Sequence, residues 1–247
     1  MKKKYPAIFA ILFFSVLCAF AQQYEMELDW SDEFDGTELD LTKWSYQTGT
    51  GSDEGLDSWG NNEQQYYRSE NVSVRDGMLV ITAKRESFGG KRFTSGRLTT
   101  RGPRGSNPGL YNTTFGRIEA RISLPPIVGM WPAFWMLPQA SPYGGWASSG
   151  EIDIMEVKGR LPDRYSGTIH YGSGWPNNQY SSIGDKWYAA GTGNCESFHD
   201  YAIEWTETKI EWFLDGVAVG NKTNWYSSAA PMPAPFDVPF YLLLNLA

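Results

Sequence analysis

Glu151, Asp153 and Glu156 fall within the ten residues from Gly150 to Gly159, GEIDIMEVKG. Ile152, Ile154 and Val157 are β-branched and favour an extended backbone, so the segment reads as a β-strand. Alternation then places Glu151 and Asp153 on one face and the isoleucines on the other. Strict parity sends Glu156 the wrong way. One extra residue in a β-bulge restores it to the face of Glu151, and Met155 is the expected bulge residue. Two carboxyl groups on one face can cleave an acetal, one ionised beside the anomeric carbon and one protonated beside the leaving oxygen. A carboxyl separation of about 5–5.5 Å corresponds to retention through a covalent intermediate, and about 6.5–9.5 Å to inversion. Neighbours on one strand favour the shorter value. Three acids on a strand are more often a solvated outer face, but like charges crowded on one face repel. Here glycines flank the strand and an aromatic stretch precedes it, which favours catalysis.

The elements that must position these acids are strands. A chain of 247 residues with 15% aromatics, 26 Gly and 14 Pro reads as one all-β domain, with no long helical period. Ile118, Ala120 and Ile122 alternate with Arg117, Glu119 and Arg121, and Tyr201, Ile203 and Trp205 alternate with Ala202 and Glu204. Ile210, Trp212 and Leu214, then Asp215-Gly216, then Val217 and Val219, form a hairpin signal. Two stacked antiparallel sheets are expected. In the block Met130 to Leu137, parity sets Trp131, Ala133 and Trp135 on one face and Phe134 and Met136 on the other. Two Trp on one strand face are, by default, core filling.

The N-terminus reads as an export signal over residues 1–21. Lys2, Lys3 and Lys4 precede an apolar run from Ala7 to Phe20, and Ala19-Phe20-Ala21 has the small-x-small form of a cleavage site. The run is shorter than the ~20 residues of a membrane span, and Val16-Leu17 before Cys18 is a poor lipidation signal. A secreted, periplasmic or cell-surface location is expected, with Cys195 left without an intrachain partner. Once the three lysines are removed, the 28 acidic residues leave a formal charge of −10. Nucleic acid is therefore excluded as a partner. An acidic, aromatic-rich exported domain suits a neutral polysaccharide, and a monomer is the default expectation.

The strand GEIDIMEVKG resembles the active-site strand of glycoside hydrolase family 16 in its E-x-D-x-x-E form, the laminarinase-like members best. The resemblance continues through WGNNEQQYY (Trp59 to Tyr67), SGRLTT (Ser95 to Thr100), GRIEARISLP (Gly116 to Pro125), GMWPAFWMLP (Gly129 to Pro138), FHDYAIEWT (Phe198 to Thr206) and PFYLLLNLA (Pro239 to Ala247). It covers nearly all of the chain from about Asp29. It implies a concanavalin A-like jelly-roll sandwich whose concave sheet carries the cleft, over a catalytic domain of residues 22–247.

Further residues take roles from the same resemblance. The positions matching Trp131 and Trp135 line the cleft near the cleavage point, which overrides the core reading of these indoles. One of Asn61 and Asn62 is a glucose contact, Asn61 by preference, although Asn-Asn also makes turns. Arg97, by default a surface ion-pair residue, matches one reaching a subsite on the non-reducing side, and Asn245 matches a cleft-facing Asn. His170 lies 14 residues after Glu156 on the expected next strand, where a hairpin return would set it beside that acid, and the family has a matching His on the leaving-group side. His199 reads as structural. Neither His has metal-ligand spacing to another His or Cys, so no catalytic zinc is expected.

The resemblance implies double displacement, with Glu151 as nucleophile, Glu156 as acid/base and Asp153 orienting Glu151. Glu156 is expected to hold the raised pKa while Glu151 stays charged. The substrate implied is β-1,3-glucan such as laminarin, cut internally, with no cofactor. Alternatives are hydrolysis of mixed-linkage glucan or another polysaccharide of the family, and a non-catalytic β-glucan-binding protein. Relatives continue beyond the block matching Leu244 to Ala247, so the chain is expected to lack its last C-terminal strand. A structural calcium ion is also compatible with the family, held by the backbone carbonyls of Glu33 and Gly77. The acidic run Asp32 to Gly36 is equally read as an ordinary turn.

Overall fold

Sixteen strands organise the chain, in a computed structural model that describes residues 26–106 and 108–247. They are β1 Ser45–Tyr46, β2 Gln65–Tyr67, β3 Val72–Arg75, β4 Met78–Ile81, β5 Phe93–Ser95, β6 Arg97–Thr99, β7 Gly116–Ile122 and β8 Pro132–Pro138. The second half supplies β9 Glu151–Glu156, β10 Arg164–Tyr171, β11 Gln179–Ser182, β12 Lys186–Trp187, β13 His199–Trp205, β14 Ile210–Leu214, β15 Val217–Lys222 and β16 Phe240–Leu246. Asp32–Ala247 forms one compact unit. The export signal expected over residues 1–21 lies outside the described residues, and none of the described helices is long and apolar enough to cross a membrane.

Two antiparallel sheets dominate, as the alternation required. The larger runs β1-β6-β16-β8-β9-β10-β11 with β12 beside β10, and the smaller runs β15-β14-β13-β7. Two small pairs accompany them. The β3–β4 hairpin is antiparallel, while β2 and β5 pair parallel, a departure from the purely antiparallel expectation. The hairpin read at Asp215-Gly216 is present, with φ of +49° and +77° at its two turn residues. Both values are those of a type I′ turn, whose twist matches the strands it joins.

The faces follow the expected parity. Phe134 and Met136 on β8, Ile152, Ile154 and Met155 on β9, and Ile169 on β10 are buried, and so are Ile203 and Trp205 on β13 and Trp212 on β14. Ring contacts between Trp205 and Phe240 (5.3 Å between centroids) join the two sheets. Burying each such side chain contributes about 1.5–3 kcal/mol. On the outer face of the smaller sheet, Arg117 pairs with Glu204 and Arg121 with Asp200 across β7 and β13, each at 3.1 Å. Cys195 is free and buried. His199 is buried too, between the Asp215 carboxylate (2.8 Å) and the Asn194 carbonyl (3.2 Å), which is the structural part expected of it.

Candidate active site

The register of β9 shows how Glu156 is turned to the face of Glu151. Against β8, Met155 pairs with Phe134 and Asp153 with Trp135, so Ile154 has no partner. Against β10, Ser166 faces Glu156 and Thr168 faces Asp153, leaving both Ile154 and Met155 opposite Gly167. The extra residue is thus Ile154, one position before the Met155 expected from the sequence. Alternation alone could not choose between them, because both side chains go into the core, each 1% exposed.

The kink is braced from beneath by the other sheet. Trp212 on β14, fully buried, donates its indole N–H to the Asp153 carbonyl at 2.9 Å. Gly167 makes room for that indole, since a Cβ there would lie 2.1 Å from Trp212 Nε1. The Gly167 carbonyl is taken up by the Ile183 amide and the Ser182 hydroxyl, each at 3.0 Å. Where β9 begins, Gly150 has φ of +88° and packs against Phe236 and Phe240, a place closed to a side chain on both counts.

Above the bulge, a cleft of about 560 Å³ is lined by Glu151, Asp153 and Glu156 together with Asn61, Arg97, Trp131, Trp135, His170 and Asn245. Every side chain expected at the catalytic or sugar-binding site is therefore in one groove. Trp131 donates to Glu156 Oε1 at 3.0 Å, and Trp135 donates to Asn245 Oδ1 at 2.8 Å. Asn245 passes a hydrogen bond to the Tyr67 hydroxyl (3.1 Å), which donates to the buried carboxylate of Glu63 at 2.8 Å. Asn61 reaches the same carboxylate at 3.4 Å, while Asn62, with φ of +56°, is the turn residue of the pair. Arg97 is buried rather than on the surface. Its guanidinium lies between the rings of Trp59 (4.3 Å) and Trp135 (4.9 Å), and its Nε donates to Gln47 at 2.6 Å. Such a wall holds the Trp135 and Asn245 side chains in fixed orientations.

His170 stands elsewhere than expected. The hairpin return sets it opposite Glu151, not Glu156, because the antiparallel strand reaches Glu156 first, at Ser166. Its Nε2 lies 3.8 Å from Glu151 Oε1 and 3.3 Å from Asp153 Oδ2.

Sequence reasoning missed Trp146, Glu63, Tyr67 and Trp212. Trp146 donates its indole N–H to Glu151 Oε2 at 2.5 Å and lies 5.5 Å from the His170 ring. The aromatic stretch before the strand was the only hint of it. Tyr67 and Glu63 sit in the WGNNEQQYY block, where their separation of four residues fits one face of a strand and of a helix alike and so singles out neither. Trp212 showed only a core period.

Burial raises the proton affinity of all three acids, and repulsion by a neighbouring acid adds to it at Glu151 and Asp153. Glu151 is pushed up to about 8 by burial and then by Asp153, against the pull of His170 and the Trp146 N–H. Asp153 is raised well above the usual carboxylate range by burial and by Glu156. Glu156 is raised by burial, opposed by the Trp131 hydrogen bond, His170 and Lys158. The expectation that Glu156 alone would be raised is thereby corrected. Glu151 lies as deep in the groove as its partner and next to a second acid. Asp153 and Glu156 titrate as a linked pair, so their protonation belongs to the two together.

A β-sandwich with an acid-floored, indole-walled groove has the makings of a carbohydrate-cleaving enzyme, the glycoside hydrolases. Residues 59–244 match the profile of Glycosyl hydrolases family 16, and the chain belongs to that family. It is 44% identical over 237 residues to Glucan endo-1,3-beta-glucosidase A1 of Niallia circulans, a match covering 90% of this chain and 34% of that protein. The chain thus spans about a third of that relative. The laminarinase from Rhodothermus marinus superposes with a TM-score of 0.72 at 41% identity, over 90% of this chain and 85% of that one. The laminarinase catalytic domain from Thermotoga maritima MSB8 gives 0.75 at 34% identity, over 90% and 86%.

Proposed function

We propose that the protein is an exported, retaining endo-hydrolase of β-1,3-glucan that acts as a monomer on laminarin-like chains. The observation that carries this reading is the convergence of Glu151, Asp153 and Glu156 on one cleft floor. Relatives named as endo-1,3-beta-glucosidase and laminarinase support the choice of substrate. Glu151 attacks the anomeric carbon as Glu156 protonates the leaving oxygen, and water deprotonated by Glu156 then hydrolyses the glycosyl-enzyme. Asp153 is the most buried of the three, 4% exposed. It keeps the proton it shares with Glu151, so the nucleophile acts as a carboxylate oriented by Asp153 and the Trp146 N–H. Trp131 occupies Glu156 Oε1, leaving Oε2 to carry the transferable proton. Trp131 and Trp135 present indoles to sugar faces, Arg97 reaches a subsite on the non-reducing side, and Asn61 and Asn245 meet sugar hydroxyls in the cleft.

Proton NMR of laminarin during hydrolysis tests the reading directly. The β-anomer of the new reducing end is expected first, with the α-anomer growing only by mutarotation. An initial α-anomer, or no release of reducing ends from laminarin with faster release from lichenan or agarose, would overturn it.

The backbone carbonyls of Glu33 and Gly77 are the proposed donors for a structural calcium ion. Both residues are exposed, at turns where Phe34, Asp76 and Gly77 have φ between +54° and +70°. Neither carbonyl accepts a turn or loop hydrogen bond among the described residues. An all-oxygen donor set suits calcium, which would tie these turns together. Asp32 itself is committed as an Asx-turn acceptor from the Phe34 amide (3.1 Å) and from Trp44 Nε1 (2.8 Å). Chelation should lower Tm by roughly 5–10 °C, reversed by calcium and not by magnesium. An unchanged melting curve would remove the ion from the account.

A further inference from the structure

His170, Asp153 and Glu151 each offer a ligand atom within 4.8 Å of those of the other two. The two contacts of the imidazole nitrogen, 3.3 Å to Asp153 and 3.8 Å to Glu151, are not hydrogen bonds. Asp153 Oδ2 has no hydrogen-bond partner among the described residues, although the residue is 4% exposed. A buried oxygen left unpaired beside a nitrogen and a second carboxylate is costly without a cation or a proton to satisfy it. The spacing also has a specific meaning. Bonds of ~2.0–2.2 Å at tetrahedral angles put neighbouring zinc ligands about 3.3–3.6 Å apart. The two separations from Nε2 are close to those edges, so side-chain rotations would complete three corners, with the cleft open at the fourth.

We propose that Glu151, Asp153 and His170 form a binding site for a divalent transition-metal ion such as zinc, and that the bound ion inhibits by excluding the substrate. One imidazole with two carboxylates suits zinc and disfavours calcium and magnesium, which take oxygen donors. Among the described residues His170 Nδ1 has no hydrogen-bond partner to fix the ring, so binding falls short of a structural zinc site. The inhibitory half of the proposal rests on the glucanase reading, because the ion occupies the oxygens of the proposed nucleophile and its neighbour. The binding half stands on geometry alone.

The test uses untagged, chelator-stripped protein titrated with zinc chloride by calorimetry near neutral pH. One ion per chain is expected. His170→Asn and Asp153→Asn should each weaken it at least about tenfold, whereas Glu156→Gln, which removes an acid outside the ligand set, should stay within about threefold of wild type. Zinc should raise the melting temperature of wild type and not that of His170→Asn, and should raise KM for laminarin with kcat unchanged. Absence of one-to-one uptake by wild type, or equal affinity in His170→Asn, overturns the site. Inhibition that lowers kcat without raising KM overturns the exclusion. A wild type that binds no zinc but cleaves laminarin leaves the glucanase reading intact, and one that binds zinc without cleaving laminarin separates the two in the other direction.

Discussion

Glu151→Gln should lose laminarin hydrolysis by at least about 10⁴-fold and, at the same time, melt higher than wild type at neutral pH. The first effect is the loss of the nucleophile. The second follows from the burial that raises Glu151 to about 8 in the folded protein, against 4.5 for the free side chain. A carboxyl whose folded pKa is raised favours the folded state fully below its unfolded pKa, and that contribution drains away as pH climbs toward the folded value. Ionising Glu151 in the groove therefore costs stability between about pH 4.5 and 8, on the order of a few kcal/mol. Gln does not ionise. The gain in Tm for Glu151→Gln should vanish near pH 4, widen through neutrality and level off above about pH 8. Glu156→Gln should also nearly abolish turnover, with a smaller gain in Tm, since three neighbours oppose the rise of its pKa. Melting curves across pH, alongside reducing-sugar assays, read both effects. Near-wild-type turnover in either variant would sink the catalytic assignment. A fall in Tm for Glu151→Gln would show that the carboxylate is stabilising, contrary to its burial.

Much of this site was legible in the sequence because strand chemistry is local. β-Branched residues between the acids declared β9, and the parity fault at Glu156 required a bulge. Parity also divided Trp131 and Trp135 from Phe134 and Met136. Local rules stop at contacts made across the sandwich. The bulge was misplaced by one residue because Ile154 and Met155 are equally apolar, and only the pairing of β8 with β9 separates them. His170 was assigned to the wrong carboxylate for the same reason, since register along β10 depends on where the hairpin turns. Arg97 took its place in the cleft from the family resemblance alone, because sequence carries no record that Trp59 and Trp135 enclose it.

Trp212→Phe should lower kcat on laminarin about 100-fold with little change in KM, although Trp212 lies beneath the catalytic strand and its indole N–H meets only the Asp153 carbonyl. The phenyl ring fills most of the same space but leaves that buried carbonyl without its donor, at a cost of about 1–3 kcal/mol. The strand relieves that cost by shifting at its weakest point, the bulge, where the ladder is already interrupted. Both glutamates flank that point, so a shift there changes their mutual placement, and a misplacement of ~1 Å costs about 10²-fold in rate. The sugar-binding side chains Arg97 on β6 and Asn245 on β16 lie on strands that do not pair with β9, which is why KM should hold. Trp205→Phe is the control. Its indole is equally buried but donates to the Phe236 carbonyl at 3.1 Å, not to a carbonyl of the catalytic strand. Both variants should lose comparable stability, and only Trp212→Phe should lose kcat. Equal rates in the two would reduce Trp212 to ordinary core, and the kink would then have to be held by the strand pairing alone.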